Sequence, residues 1–156
     1  MAQHRATINW KCTGTDFISG KYSREHTWRF DGGAVVAASS SPSVVPAPWS
    51  NPASVDPEEA YVAAVSSCHM LTFLYLAGKA GFHVESYEDE AIGTMTKNER
   101  GIPWVGAITL QPRISYIGSK QPGAADEKRL HHEAHEQCFI AQSIKTEVTV
   151  RAVNVN

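Results

Sequence analysis

The chain has 156 residues and a formal net charge of −2 at pH 7. This length suits a single domain, and the nearly balanced charge argues against nucleic-acid binding. Its three cysteines are an odd number, which argues against a disulfide scaffold. The N-terminal stretch MAQHRATINW lacks the apolar core of an export signal, so we expect a cytoplasmic protein with reduced cysteines.

Three short strands are predicted over residues 1–40. The segments 4–13, 22–30 and 34–40 alternate loosely between polar and apolar or aromatic residues. Asp31-Gly32-Gly33 predicts a hairpin, because its glycines accept a positive φ. We therefore expect an antiparallel meander with at least one face to bury.

Residues 41–56 form a proline-rich segment that cannot join a central strand. It nevertheless contains the apolar residues Val44, Val45 and Trp49, which prefer to be covered. This composition favours an ordered loop packed on a surface, either of this chain or of a partner subunit.

A long helix is predicted from Asp56 to Gly81. Asp56 is a candidate N-cap, Pro57 suits the first turn, and Gly81 provides a C-terminal stop. The helix is apolar on nearly every side, so we expect burial on nearly every face. Its charged residues and His69 interrupt the apolar run too often for a membrane span.

The remaining chain predicts two strands, a helix and a last strand. Segments 82–97 and 104–117 are expected to pair, with Pro112 marking a bulge or an edge. A polar helix is predicted over 126–140 and a strand over 145–152. The order βββ-α-ββ-α-β defines an α+β fold in a single domain 1–156, made of the meander 1–40, the loop 41–56 and a helix–strand core 57–156.

The cysteines Cys12, Cys68 and Cys138 are each unremarkable alone, since a lone buried cysteine usually behaves as a small apolar residue. A reactive cysteine requires a nearby cation, because a thiol of pKa about 8.5 is only about 3% thiolate at pH 7. The middle of a helix offers Cys68 no dipole end. The sequence alone does not identify the cation that would stabilise the Cys68 thiolate. The candidates are Arg24, Arg29, Lys79 and a protonated histidine.

The sequence resembles the OsmC/Ohr family over nearly its whole length. The resemblance rests on Pro57-Glu58, an alanine-rich apolar stretch, Ser67-Cys68 and the helix end Ala80-Gly81-Phe82. The hairpin before this helix, the strand pair after it and a second cysteine on a late helix also resemble the family. The sequence is more similar to general OsmC-like proteins than to the Ohr branch. The resemblance implies an intertwined homodimer that reduces organic hydroperoxides through thiols, without metal, haem or flavin.

The same resemblance assigns the site residues. Cys68 corresponds to the peroxide-attacking cysteine and Cys138 to the resolving cysteine. Glu58 corresponds to the family's glutamate, and Arg24, rather than the nearby Arg29, best matches its arginine. The implied cycle passes through a Cys68 sulfenic acid and a Cys68–Cys138 disulfide, which a dithiol, implied to be a lipoyl-bearing protein, then reduces. Met70, Phe73 and Trp49 are candidate pocket residues.

Helix geometry predicts that the site is shared between two chains. Glu58 and Cys68 are ten residues apart, which on one helix gives about 15 Å of rise and about 80° of rotation. A glutamate side chain spans only about a third of that rise. We therefore expect a two-fold homodimer in which one chain supplies Cys68 and the other supplies Glu58, together with Arg24.

One alternative function comes from the segment HHEAHEQC. His131, His135 and Cys138 stand at i, i+4 and i+7 of the predicted helix, and imidazole and thiolate suit zinc. A plainer interpretation is a solvated polar helix face. This alternative is an OsmC-like protein without peroxidase activity that binds a metal or a small ligand through this face.

Overall fold

The computed structural model describes residues 1–14 and 16–153. The chain divides into two compact units, residues 1–60 and 61–156. Helices and strands follow one another in the predicted α+β order, except that two predicted strands are each divided in two. Their bounds are β1 Ala6–Asn9, β2 His26–Phe30, β3 Val35–Ala38, α1 Pro57–Lys79, β4 His83–Asp89, β5 Ile92–Lys97, β6 Pro103–Leu110, β7 Pro112–Ile117, α2 Ala124–Gln137 and β8 Glu147–Val150, with a short 3₁₀ turn Ala141–Ser143 before β8.

The first unit contains the predicted meander, in which β1, β2 and β3 are neighbours and antiparallel. The predicted hairpin is confirmed: Gly33 has φ of +89°, and the Phe30 amide donates to the Ala34 carbonyl at 3.0 Å. Residues of the proline-rich loop contact the segment just before β2. The Asn51 side-chain amide donates to the Glu25 carboxylate at 2.7 Å, and the Trp49 carbonyl accepts from the Arg24 backbone amide at 2.9 Å.

Local side-chain and backbone contacts define both ends of α1. At the start, Asp56 accepts from the Glu59 amide at 2.8 Å, and Glu59 accepts from the Asp56 amide at 3.1 Å. This reciprocal pair satisfies two otherwise unpaired amides. At the end, Gly81 has φ of +80°, and the Phe82 amide donates to the Ala77 carbonyl at 3.0 Å. The predicted N-cap and stop are confirmed, and α1 is unbroken between them.

Only one face of α1 is buried within the chain, so the prediction of burial on nearly every face is wrong for a single copy. The buried face consists of Val65, His69, Phe73 and Ala77. Four residues at successive i+4 positions on another face are exposed: Ala63, Ser67, Leu71 and Tyr75. By length and composition α1 could also cross a membrane, a test that the core helix of a soluble protein passes equally.

In the second unit, each of the two long predicted strands is replaced by two shorter strands. β4 pairs with β7 and β5 with β6, both antiparallel as expected, while β8 lies parallel to β6. The divisions fall at Glu90 and Gln111, where the Gln111 amide donates to the Asp89 carboxylate at 2.6 Å. Pro112 follows and has no amide hydrogen to donate, which suits its position in a two-stranded sheet.

Two apolar clusters pack around α1 and α2 in this unit. The first contains Phe73, Ala77, Phe82, Ile114, Leu130 and Ala134. The second contains Val65, Ile108 and Leu110. The predicted pocket residue Phe73 is therefore a fully buried core residue. α2 ends at Gln137, so the predicted helix 126–140 begins and ends too late.

Candidate active site

The two helices of the second unit bring Cys68 and Cys138 together. Cys68 lies near the middle of α1 and is half-buried, whereas Cys138 is fully buried directly after α2. Both are free thiols, and they are close enough for Cys68 to raise the pKa of Cys138. Cys12 belongs to the first unit, where its thiol donates to the Gly14 carbonyl at 3.3 Å. The structure therefore pairs the two cysteines that the family resemblance selected.

The surroundings of the two thiols differ. Burial raises the pKa of Cys138, and the neighbouring Cys68 thiol raises it further. The Ala141 amide donates to the Cys138 sulfur at 3.4 Å, and this hydrogen bond lowers the pKa of Cys138. Cys138 is thus a protonated, buried thiol. Cys68 is the more accessible of the two, as an attacking sulfur must be.

A shallow, mostly apolar groove of about 530 Å³ is lined by parts of α1 and of the segment around Cys138, although neither Cys68 nor Cys138 lines it. Its walls are residues that neighbour the cysteines along each helix, including Thr72, Tyr75 and Phe139. The Phe139 side chain is 84% exposed, although it directly follows the buried Cys138. The groove therefore offers apolar contact area on the segments that carry the two cysteines.

Arg24 and Glu58 belong to the first unit and the cysteines to the second, so the positions of each are given within its own unit. Arg24 donates to the Gly20 carbonyl at 2.7 Å and lies over the Tyr22 ring, 3.8 Å from its centroid. Glu58 is half-buried in the first turn of α1. Among the ion pairs of the part of the chain that the structure describes, none joins Arg24 to Glu58.

Arg24 also lines an apolar pocket of about 480 Å³ in the first unit. Stacked and tilted aromatic rings form part of its wall: Trp10, Phe17 and Tyr22. Arg29, the alternative arginine, is instead exposed on β2 and is paired with Thr7 across the strand. The two arginines therefore differ in their surroundings: Arg24 is half-buried beside aromatic rings, and Arg29 is exposed.

A buried histidine pair lies close to the thiols along both helices. His69 directly follows Cys68, and its Nε2 is 3.0 Å from Nδ1 of His131. The two rings are stacked with centroids 5.3 Å apart, and Phe73 stacks on His131 at 4.4 Å. The pKa of each histidine is lowered from 6.5 to about 4: burial causes the shift of His131, and burial together with the neighbouring imidazoles of His131 and His135 causes that of His69. Both rings are therefore neutral at pH 7.

The zinc alternative depended on Cys138 continuing the helical face of His131 and His135. The helix ends at Gln137, and Cys138 has extended backbone angles, φ −73° and ψ 114°. Cys68, and not a histidine, is the neighbouring side chain that raises the pKa of its thiol. Within residues 1–14 and 16–153, no group of three or more His, Cys, Asp or Glu side chains is arranged to hold a metal ion.

The sequence did not predict the His69–His131 pair or the contacts of Asp89. Asp89 accepts hydrogen bonds from Ser66 of α1 and from the Gln111 amide, and so ties α1 to the strand divisions. The partners in each contact are more than 20 residues apart. The only local signal is one histidine, His69, inside an otherwise apolar helix.

The fold and the paired thiols define an α+β protein with a dithiol held between its two helices. The family model for OsmC-like proteins matches residues 50–153, more than half of the chain. The chain therefore belongs to the OsmC-like family. No curated protein matches it.

Solved structures agree with this assignment. An OsmC-like protein of unknown function from Vibrio cholerae is 47% identical, with a TM-score of 0.95 over 98% of this chain and 100% of its own. The organic hydroperoxide resistance protein OsmC from Legionella pneumophila is 13% identical, with a TM-score of 0.69 over 100% and 98%. The organic hydroperoxide resistance protein OhrB of Bacillus subtilis is 17% identical, with a TM-score of 0.68 over 99% and 98%. At these two lower identities the likeness concerns the fold.

Proposed function

We propose that this protein is a cysteine-based peroxidase that reduces organic hydroperoxides to alcohols. The observation that carries the proposal is that a half-buried Cys68 and a fully buried Cys138 are neighbours close enough for Cys68 to raise the pKa of the Cys138 thiol. Membership of the OsmC-like family and the fold shared with hydroperoxide resistance proteins support the same activity.

In the proposed cycle the Cys68 thiolate attacks the distal oxygen of the hydroperoxide. The O–O bond breaks, one oxygen stays on sulfur as a sulfenic acid, and the alkoxide leaves as an alcohol after taking up a proton. The Cys138 thiol then attacks the sulfenic sulfur, releases water and forms the Cys68–Cys138 disulfide. An external dithiol, for which a lipoyl-bearing protein is our candidate, returns both cysteines to thiols and is itself oxidised to a disulfide.

The direction of attack follows from exposure. Cys68 is half-buried, so in this proposal the alkyl hydroperoxide reaches it first. Cys138 is fully buried, and burial raises its pKa, which suits a thiol that waits for the sulfenic acid.

We assign activation of Cys68 to Arg24, with Glu58 holding the guanidinium in a two-point hydrogen-bonded pair. A second copy of the chain supplies both residues in this proposal. Its support is the unbroken helix α1, along which Glu58 lies about 15 Å from Cys68, a rise that no glutamate spans. The exposed stripe on α1 that includes Leu71 and Tyr75, each 61% exposed, gives the second copy a surface to cover.

Turnover tests the chemistry. Purified protein is mixed with cumene hydroperoxide and either dihydrolipoamide or dithiothreitol, and consumption of the dithiol is followed. Cys68→Ser should abolish consumption above the uncatalysed rate, and Cys138→Ser should prevent multiple turnovers through the disulfide. Cys12→Ser is the matched control and should retain the wild-type rate. A Cys68→Ser variant as active as the wild type would refute the proposal.

Hybrid dimers test the shared site. A Cys68→Ser chain and a Glu58→Ala chain are each inactive in the proposal, but refolding them together creates one intact site per heterodimer. Activity should partly return in the mixture. In the control, a Glu59→Ala chain takes the place of the Glu58→Ala chain. Glu59 caps the start of α1, so the Glu59→Ala protein should be active without any partner variant. A monomer in sedimentation, or heterodimers without recovered activity, would contradict the assignment.

A further inference from the structure

A buried contact between two histidines, here called the histidine bridge, joins α1 to α2 near the two cysteines. His69 Nε2 and His131 Nδ1 are 3.0 Å apart, and the residues are 1% and 6% exposed. His69 directly follows Cys68 on the unbroken helix α1. Cys138 directly follows α2, and its amide donates to the His135 carbonyl at 3.4 Å. A movement of α1 that separates the two rings therefore also moves Cys68 away from Cys138.

The histidine bridge leaves two of its polar atoms without partners. Each neutral ring carries one proton, and one of the two protons lies between His69 Nε2 and His131 Nδ1. The outer nitrogens, His69 Nδ1 and His131 Nε2, are buried and have no hydrogen-bond partner in the part of the chain that the structure describes. Whichever ring donates, one N–H and one acceptor stay unpaired. Because both would gain hydrogen bonds from water, the closed bridge depends on the packing around it.

The surroundings of the bridge oppose a positive charge on either ring. Phe73 stacks on His131 with the ring centroids 4.4 Å apart. Burial and the imidazoles of His131 and His135 lower the pKa of His69, and Asp89 of β4 raises it by a smaller amount. Burial lowers the pKa of His131. A proton on either ring therefore favours an open bridge that water can reach.

Other titratable side chains near the bridge supply no net counter-charge. Tyr87 of β4 and Tyr116 of β7 pack against the first apolar cluster, and burial raises the pKa of both hydroxyls, so both are neutral. Glu127 and Lys128 precede His131 on α2 by about one helical turn and carry opposite charges. The charge state of the bridge is thus set mainly by its own two rings.

We propose that the histidine bridge is an acid-sensitive switch that controls the spacing of the two thiols. With both rings neutral it holds α1 against α2 and keeps Cys68 within reach of Cys138, because a disulfide needs Cα atoms about 4.4–6.8 Å apart. A proton on either ring opens the bridge, separates the thiols and shifts the pair from disulfide towards dithiol. The inference rests on the thiol pair of the proposed function, but not on hydroperoxide turnover.

Equilibrium with a dithiothreitol redox buffer measures the switch without any hydroperoxide. Cys68 and Cys138 form the disulfide, and their two electrons and two protons pass to oxidised dithiothreitol, which becomes its dithiol. Up to pH 7.5 thiols are mostly protonated, so this equilibrium constant has little pH dependence of its own. Linkage to one ring allows a fall of up to about 10-fold from pH 7.5 to pH 5.5, and we expect about 5-fold for the full-length protein. Equilibrium is approached from both redox states, with selenocystamine as catalyst, and the disulfide fraction is read by mass after alkylation.

A conservative double variant separates the switch from a merely structural contact. His69→Gln with His131→Asn places amide groups where Nε2 and Nδ1 lie, so a hydrogen bond can form but neither side chain takes up a proton. This variant should match the wild-type equilibrium constant at pH 7.5 and lose the fall at pH 5.5. His83→Gln, at an exposed histidine of β4, should keep the fall. A fall that persists in the double variant would overturn the proposal.

The wild-type protein provides an independent measurement. Linkage is reciprocal, so a bridge that favours the disulfide must take up protons less readily when the disulfide is present. The pKa values of His69 and His131, followed by NMR, should therefore be lower in the oxidised protein than in the reduced protein. Equal values in the two redox states, or an equilibrium constant that is the same at pH 7.5 and pH 5.5, would overturn the proposal. Absence of peroxidase activity with this pH dependence intact would refute the proposed function alone.

Discussion

Acid should destabilise this protein through the histidine pair. His69 and His131 are 1% and 6% exposed, and the pKa of each is lowered from 6.5 to about 4, mainly by burial. The unfolded chain therefore binds protons near pH 6.5, whereas the folded chain binds them only near pH 4. Between these values the unfolded state holds more protons, so the free energy of unfolding falls as the pH falls. Below about pH 4 this contribution is fully lost.

The size of the effect follows from the same pKa values. At pH 5, linkage gives a loss of about 2 kcal/mol for one such histidine relative to pH 8. The rings are stacked at 5.3 Å, and a proton on one disfavours a proton on the other. The pair together should therefore account for about 2–4 kcal/mol of lost stability.

Urea unfolding at a fixed protein concentration, repeated from pH 8 to pH 5, measures this loss. His69→Leu combined with His131→Leu removes both partners, so no buried nitrogen is left unpaired. The double variant should lose about 2–4 kcal/mol of the pH dependence, whereas His83→Leu, at an exposed histidine of β4, should keep it. An unchanged pH dependence in the double variant would refute the reasoning. So would a pKa near 6.5 for His69 or His131 in the folded protein, measured by NMR.

Three further outcomes follow from single contacts. Asp56→Ala removes the N-cap of α1 and should lower the free energy of unfolding by about 1 kcal/mol, measured in urea. Gly93→Ala would place a Cβ 2.5 Å from Val62 Cγ2, so it should cost about 1–3 kcal/mol and lower the Tm; an unchanged Tm would contradict this close approach. Leu71→Lys should give a monomer in sedimentation with an unchanged circular dichroism spectrum, because it charges the exposed face of α1. If it sediments as the wild type does, that face is not the interface.

The sequence predicts the ends of α1 well because local residues determine them. Asp56 and Glu59 cap one end within a single turn, and Gly81 ends the helix by its own backbone angle. The strand divisions behave differently. They depend on the contact between Asp89 and Gln111, 22 residues apart, which no local pattern shows. Periodicity therefore gives two long strands where the fold has four short ones.

The contacts of the candidate site also join residues that are far apart in the sequence, so local patterns do not predict them. The pairing of Cys68 with Cys138 was available through the resemblance to a family, not through periodicity or spacing. The contact of His69 with His131 joins residues 62 positions apart, and neither neighbourhood marks its histidine as a partner of the other. The sequence also could not predict the exposed stripe on α1. In a helix that is apolar on nearly every side, the sequence does not show which face packs against its own chain.

The disulfide tests the central claim most directly. The reduced protein is treated with one equivalent of cumene hydroperoxide, digested without reductant and mapped by mass spectrometry. The proposed cycle predicts a peptide that links Cys68 to Cys138, with Cys12 recovered as a free thiol. A link that contains Cys12, or three free thiols after exposure to the peroxide, would contradict it.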